Sequence, residues 1–310
     1  MKKFLLNLPI PVAAVGLSFA GFANLFALNP SISWVFAIFS LLILIAVVVK
    51  FILNPTMFKQ QLNQAPIAAT FPTFFMGLAF LAKFLLPISR TLSLILWFIA
   101  TIGHALFIVY FSLAFAMKKD LSLVLPSWFI VYIGIVASAI SSPMFQSNLI
   151  TTLSKGLFLF GVLSFIILLP IVFMRLKKHN LPTPVRGTFA ILAAPASLNL
   201  VGYLATHEQK TLWLVLLQVC LMLLLYVIVL IKLPKLLSER FTPAQAGMTF
   251  PLVITATAVK QSGVFLSKQL PAIQPVFTIL SWVTLIIALI VVFLITIRFI
   301  KATYKMNQTA

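Results

Sequence analysis

The chain has 310 residues, of which 62% are hydrophobic and only 8% charged. Such a composition excludes a soluble globular domain and assigns the protein to the membrane class. Lys and Arg together number 22 against 3 acids, but in so apolar a chain a basic excess confined to short loops orients the protein in a bilayer rather than recruiting nucleic acid.

Lys2 and Lys3, followed by the apolar run from Phe4, imitate the start of a secretory signal peptide. No small-x-small cleavage site with a polar mature start follows near Asn24 to Pro30, so the segment is read as retained. Pro9 then opens a long hydrophobic stretch, and Pro66, Pro126, Pro184 and Pro243 open others at intervals of 57, 60, 58 and 59 residues. This is an internal repeat. A bilayer span needs roughly 20 apolar residues, so one unit of about 59 residues holds two helices and their turns. The pattern predicts spans over 9–28, 34–53, 66–86, 91–117, 126–142, 150–174, 184–205, 211–232, 244–263 and 275–298. The expected fold is therefore all-α: ten transmembrane helices as five hairpins in one membrane domain over 1–310.

The spans alternate in character. Odd ones carry 8 of the 11 glycines and most internal prolines, whereas even ones are bulky and unbroken, with branched aliphatics on every face. Small residues let helix backbones approach closely, and bulky faces suit lipid, so the odd spans belong in an inner ring of five inside an outer ring of five. Small residues also serve plain helix packing, but five equivalent broken helices around one axis favour a pseudo-fivefold arrangement with a central pore.

With the N-terminus in the cytoplasm, inside segments collect 16 of the 22 basic residues, including Lys50, Lys118, Arg175, Arg186, Lys235 and Arg298. Outside segments hold Lys83, Arg90, Lys155, Lys210, Lys260 and Lys268. The positive-inside rule then puts both termini in the cytoplasm. Cys220, alone in an apolar stretch, reads as a buried small hydrophobe. His104 lies inside the fourth span while His179 and His207 fall in opposite loops, so no metal cluster can form and His104 reads as a neutral histidine bonded to a neighbouring helix. No paired carboxylate and no nucleophile with a base is present, which argues against an enzyme; no cofactor is expected.

Asp120, Glu208 and Glu239 all fall in predicted loops, leaving no carboxylate within the spans. A cation path or a proton carrier normally needs one, so an anion is the natural permeant. Lys83 and Lys260 each lie 17 residues after their unit's opening proline, as do Asn24 and Asn199 at 15 residues. The lysines either form a vestibule that gathers anions or snorkel to headgroups; the asparagines either donate into the lumen or tie inner helices together. Pro251 removes the donor that would meet the Gly247 carbonyl and disfavours helical geometry at Phe250, so the ninth helix breaks there. A phenyl ring at such a break is either core or a hydrophobic gate, with Thr257 and Gln261 continuing its face.

The chain resembles the tellurite-resistance and dicarboxylate transporter family nearly end to end, in Pro11 to Gly16, WFIATIGH at Trp97 to His104, PVRGTFAILAAPAS at Pro184 to Ser197 and GMTFPLVITATA at Gly247 to Ala258. That family includes bacterial tellurite-resistance channels, fungal malate and sulfite transporters and plant slow anion channels. The resemblance implies ten helices around a central pore, a homotrimer with one pore per subunit, and a pore plug at Phe250. It leaves two activities open: a passive channel or channel-like exporter for small inorganic or carboxylate anions, and a carrier of malate, other dicarboxylates or sulfite, with tellurite resistance as a further outlet. A nonconducting scaffold is the reading from another class.

Overall fold

The computed structural model describes residues 2–309, and among these it is helical without a strand. Met1 and Ala310 of the expected domain, and the side chains of Lys2 and Lys3 in the charge split, lie outside the described residues. After a short helix over Lys2–Asn7 comes a 14-residue apolar helix, α1 (Val12–Leu25). It is shorter than expected because Pro9 and Pro11 hold Leu8 to Pro11 in turns. Nine further helices among the described residues are long and apolar enough to cross a membrane: α2 (Pro30–Leu53), α3 (Ala65–Leu85), α4 (Arg90–Lys118), α5 (Trp128–Phe145), α6 (Asn148–Lys178), α7 (Thr183–Thr206), α8 (Leu212–Ser238), α9 (Pro243–Gln269) and α10 (Pro271–Met306).

Burial separates two sets. In α3, α5, α7 and α9, between 72% and 83% of the most apolar stretch is buried; in α2, α4, α6, α8 and α10 the share is 22% to 33%. The odd helices touch one another in turn: α1 packs on α3, α3 on α5, α5 on α7, α7 on α9, and α9 back on α1. Each also packs against the even helix that follows it. Cys220 corrects the sequence reading, since it is exposed on the outer face of α8. An even helix with apolar residues all round gives no periodic signal to say which side faces in.

The buried helices are irregular where the prolines fall. Residues Thr183–Ala193 of α7 and Pro243–Met248 of α9 are 3-10, and α3 is interrupted between Ala65–Ala68 and Thr73–Leu85. Threonine hydroxyls meet carbonyls in these stretches: Thr73 donates to Thr70 O (2.7 Å), Thr188 to Val185 O (2.7 Å) and Thr249 to Ala246 O (2.7 Å). Irregular backbone at membrane depth survives only when its polar groups are satisfied in this way.

Three basic side chains counted with the inside segments are turned back into the protein. Lys50 at the end of α2 donates to Leu8 O, Arg175 of α6 to His179 O (2.7 Å), and Arg298 of α10 to Leu237 O (2.6 Å) and Gln245 Oε1 (3.0 Å). Lys50 and Arg298 thereby tie the ends of outer helices to neighbouring elements, while Arg175 caps the end of its own helix. These bonds also explain how Lys50 and Arg175 can be buried: a cation is tolerated away from water when carbonyl oxygens replace its hydration.

Candidate functional site

The site begins at the break in α9. Pro251 has no N–H to give the Gly247 carbonyl, so the chain runs as a 3-10 turn to Met248 and restarts as α-helix at Phe250. The restart aims the Phe250 ring inward, where it is 4% exposed. Gly21 of α1 makes room for it: a Cβ there would stand 2.8 Å from Val253 Cγ1 and 3.6 Å from Phe250 Cε2. Across the gap stands Phe80 of α3, its ring centroid 6.1 Å away.

Phe250 is a wall of two cavities. One has a volume of about 630 Å³ and is bounded by residues from all five odd helices, among them Asn24 (α1), Lys83 (α3), Ser141 (α5), Leu204 (α7) and Thr257 (α9). The other measures about 20 Å³ and is bounded by the same five helices through Ala14, Met76, Ile130, Ile191 and Gly247, with Pro251 beside the ring. Twenty cubic ångströms is about one water's worth of space, and this lining is nearly all apolar, so the neck under Phe250 favours neither bulk water nor a hydrated ion.

The large cavity is basic. Lys83, Lys210, Lys260 and Lys268 line it, and no Asp or Glu does. They have different work. Lys260 donates to Leu25 O at 3.0 Å, satisfying a carbonyl at the end of α1, and Lys210 reaches the Glu208 carbonyl at 3.4 Å. Lys83, Lys268 and Gln261 make no hydrogen bond within the protein among the described residues, which leaves their donors to whatever occupies the cavity. Thr257 and Asn24 are poorer donors, although both line the wall. The Thr257 hydroxyl donates to Val253 O (3.0 Å), and the Asn24 amide donates to Ala20 O (2.9 Å) and Phe80 O (3.4 Å), tying α1 to α3.

Phe250, Thr257, Gln261, Lys83, Lys260 and Asn24 thus meet around one cavity, while Gly247 and Pro251 bound the neck. Asn199 does not join them. Buried in α7, it has no partner for either amide atom, and its Oδ1 lies 3.4 Å from where a Cβ on Gly161 of α6 would stand. Its repeat-matched position therefore faces the outer helix, not the cavity. Sequence reasoning missed Phe80, one phenylalanine among 30, for want of any distinguishing neighbour. Lys210 and Lys268 were visible only as members of the small outer set of basic residues.

Two other groups have structural duties. His104 Nε2 donates to Val131 O at 2.9 Å, the carbonyl fixing the proton on that nitrogen, and so joins α4 to α5. In the loop after α7, burial holds His207 below its ordinary pKa, and the charges of Lys155 and Lys210 push it further the same way. Among the described residues no group of three or more His, Cys, Asp or Glu is placed to hold a metal ion.

A basic cavity without carboxylates, set beside a broken inner helix, suits an anion rather than a cation. The family model described as voltage-dependent anion channel, SLAC1, matches residues 7–300. The chain belongs to this family. The match takes in every candidate site residue and agrees with the resemblance carried by the Pro11, Trp97, Pro184 and Gly247 motifs. A search of curated proteins found no match. Membership makes the protein an integral membrane protein of a class that moves anions and is not enzymatic.

Proposed function

We propose that this SLAC1-family protein is a passive channel, or channel-like exporter, for small inorganic or carboxylate anions, gated by Phe250. The observation that carries the reading is the position of that one ring between a basic cavity of about 630 Å³ and an apolar one of about 20 Å³. Anions gather among lysines that no carboxylate neutralises, where the local field raises their concentration without a tight site to hold them. Lys83, Lys268 and Gln261 offer donors as hydration water is shed. The ring then blocks further travel, and passing it partly dehydrated costs several kcal/mol until the ring moves.

In this reading the single domain crosses the bilayer ten times. Five hairpins surround the pore with pseudo-fivefold symmetry, α1 spanning with help from the turns before it. The cyclic packing of the odd helices supports that arrangement. The 16 to 6 division of basic residues supports cytoplasmic termini. A homotrimer in a bacterial cytoplasmic membrane follows from the family resemblance.

Flux into proteoliposomes tests the function directly. Chloride, nitrate and a small carboxylate are presented in turn, with a potassium gradient and valinomycin setting the potential. Potential-driven anion uptake that tracks the imposed voltage and shows no requirement for a proton or sodium gradient is expected. Uptake only when a coupling ion is supplied, or none at all from folded protein, would overturn the channel reading.

A further inference from the structure

A second cavity, of about 570 Å³, lies away from the pore, between the end of α2, the short helix Pro55–Leu62, the interrupted start of α3 and the later part of α4. Its walls are aromatic. Phe58 sets its ring edge-on to Phe51 of α2 (5.3 Å) and to Phe71 of α3 (5.5 Å), and Phe71 meets Phe107 of α4 at 5.3 Å. One end is closed by the Tyr110 hydroxyl, which donates to Leu62 O at 3.2 Å. The volume falls in the range of pockets that enclose whole small ligands, about 300–1,000 Å³.

What covers this groove is settled by its surroundings. On both sides the same helices present large apolar side chains outward, Ile52 on α2 and Leu106, Val109 and Leu113 on α4, so the groove is continuous with the surface that meets hydrocarbon. At its rim stands Lys59, exposed and without a protein partner among the described residues. Lys118, at the end of α4, lies over the Phe115 ring at 5.5 Å, and that ring is 6.5 Å from Tyr110. An apolar trough running into the bilayer with a cation at its mouth has the chemistry of one molecule: a phospholipid whose acyl chain fills the trough and whose anionic headgroup meets the lysine.

We propose that the groove is a binding site for one anionic phospholipid, in the leaflet that meets the C-terminal ends of α2 and α4. The acyl chain lies along Phe51, Phe58, Phe71 and Phe107, and the phosphate pairs with Lys59. The site has a route to the pore. Phe71 and Phe74 form its inner wall, and Thr73 and Met76, on the same short stretch of α3, bound the small cavity beneath Phe250. A lipid seated there braces the interrupted part of α3 from behind.

The test uses purified full-length protein in a non-ionic detergent, titrated with dioleoyl-phosphatidylglycerol or dioleoyl-phosphatidylcholine, with adducts read by native mass spectrometry. Wild type is expected to hold one phosphatidylglycerol more tightly than phosphatidylcholine. Lys59→Gln should reduce that preference about fivefold, the worth of one interfacial lysine. Lys301→Gln, an exposed lysine on α10, should leave it unchanged. Val48→Trp fills the groove and Phe51→Ser removes its wall, so whichever of the two folds with a native elution profile should lose the adduct for both lipids. The proposal is overturned if wild type shows no discrete adduct, if Lys59→Gln binds as wild type does, or if Lys301→Gln weakens binding equally. Retention of the adduct in the folded groove variant also overturns it, as does a change of oligomeric state in that variant with lipid binding intact, which would make the groove a contact between copies of the chain.

Discussion

Phe80 and Phe250 meet in the wall of the large basic cavity, ring centroids 6.1 Å apart and planes inclined by 55°. The pair comes from α3 and α9, which are not neighbours in the cycle of inner helices, so the contact reaches across the ring of inner helices rather than along a helix seam. In the proposed channel, two rings meeting this way would close the path by excluding water, with no charge or hydrogen bond that an anion would have to break.

From this follows the gate prediction. Phe250→Ala should raise basal anion conductance in planar bilayers, because the truncated side chain lets water join the two cavities. Phe39→Ala, on the outward face of α2, should not. A folded, correctly assembled Phe250→Ala protein with wild-type or lower conductance would reduce the ring to core packing.

The vestibule prediction concerns charge. Neutralising Lys83 and Lys268 to glutamine should lower flux about threefold at 10 mM salt, where the Debye length is about 30 Å, and hardly at all at 1 M, where it is about 3 Å. Adding Lys260→Gln should deepen the low-salt loss. It should also lower thermal stability, since that amine alone of the three holds the Leu25 carbonyl. Equal fluxes at every ionic strength would mean that the lysines serve only packing and headgroups.

The run of buried helices was legible in the sequence because proline is punctuation: Pro9, Pro66, Pro126, Pro184 and Pro243 each open one, and the glycines of those helices fall where neighbouring atoms come close. The helix break at Phe250 was legible for the same reason, from Pro251 beside it, whereas a gating role for the ring came only from the family resemblance. Residues whose role depends on the far side of the lumen were not. Nothing near Phe80 marks it among the phenylalanines, and Lys268 reaches the cavity only because α9 continues unbroken to Gln269. Equal offsets in the repeat misled at Asn199, since the 3-10 turns of Thr183–Ala193 change the phase of α7 relative to α1.

Orientation can be read by labelling. In a Cys220→Ala background, Asn180→Cys between α6 and α7 should resist an impermeant thiol reagent added outside intact cells, while Gln209→Cys between α7 and α8 reacts; both positions are exposed. The expectation rests on the bias of basic residues toward the Asn180 side. The reverse labelling pattern would invert the protein in the membrane and make the basic cavity a cytoplasmic one.

A close backbone approach between two inner helices supplies the last prediction. At Gly187 the 3-10 start of α7 meets that of α9 backbone to backbone, and an added Cβ would stand 2.7 Å from Ala244 O and 2.8 Å from Gln245 N. Neither atom is the end of a flexible side chain, so the two segments must move apart, at a cost in the range of about 1–3 kcal/mol for overpacking. The segments they belong to carry Ile191 and Gly247 at the small cavity, so the same displacement widens the neck below Phe250. Gly187→Ala should therefore lower the melting temperature in detergent and, in the fraction that folds, raise leak conductance. Gly156→Ala, on α6 with nothing within 4 Å of the added Cβ, should be neutral or slightly stabilising. Were Gly187→Ala as stable and as tightly closed as wild type, the two 3-10 segments would not be in the contact described, and the neck would have to be formed by other residues.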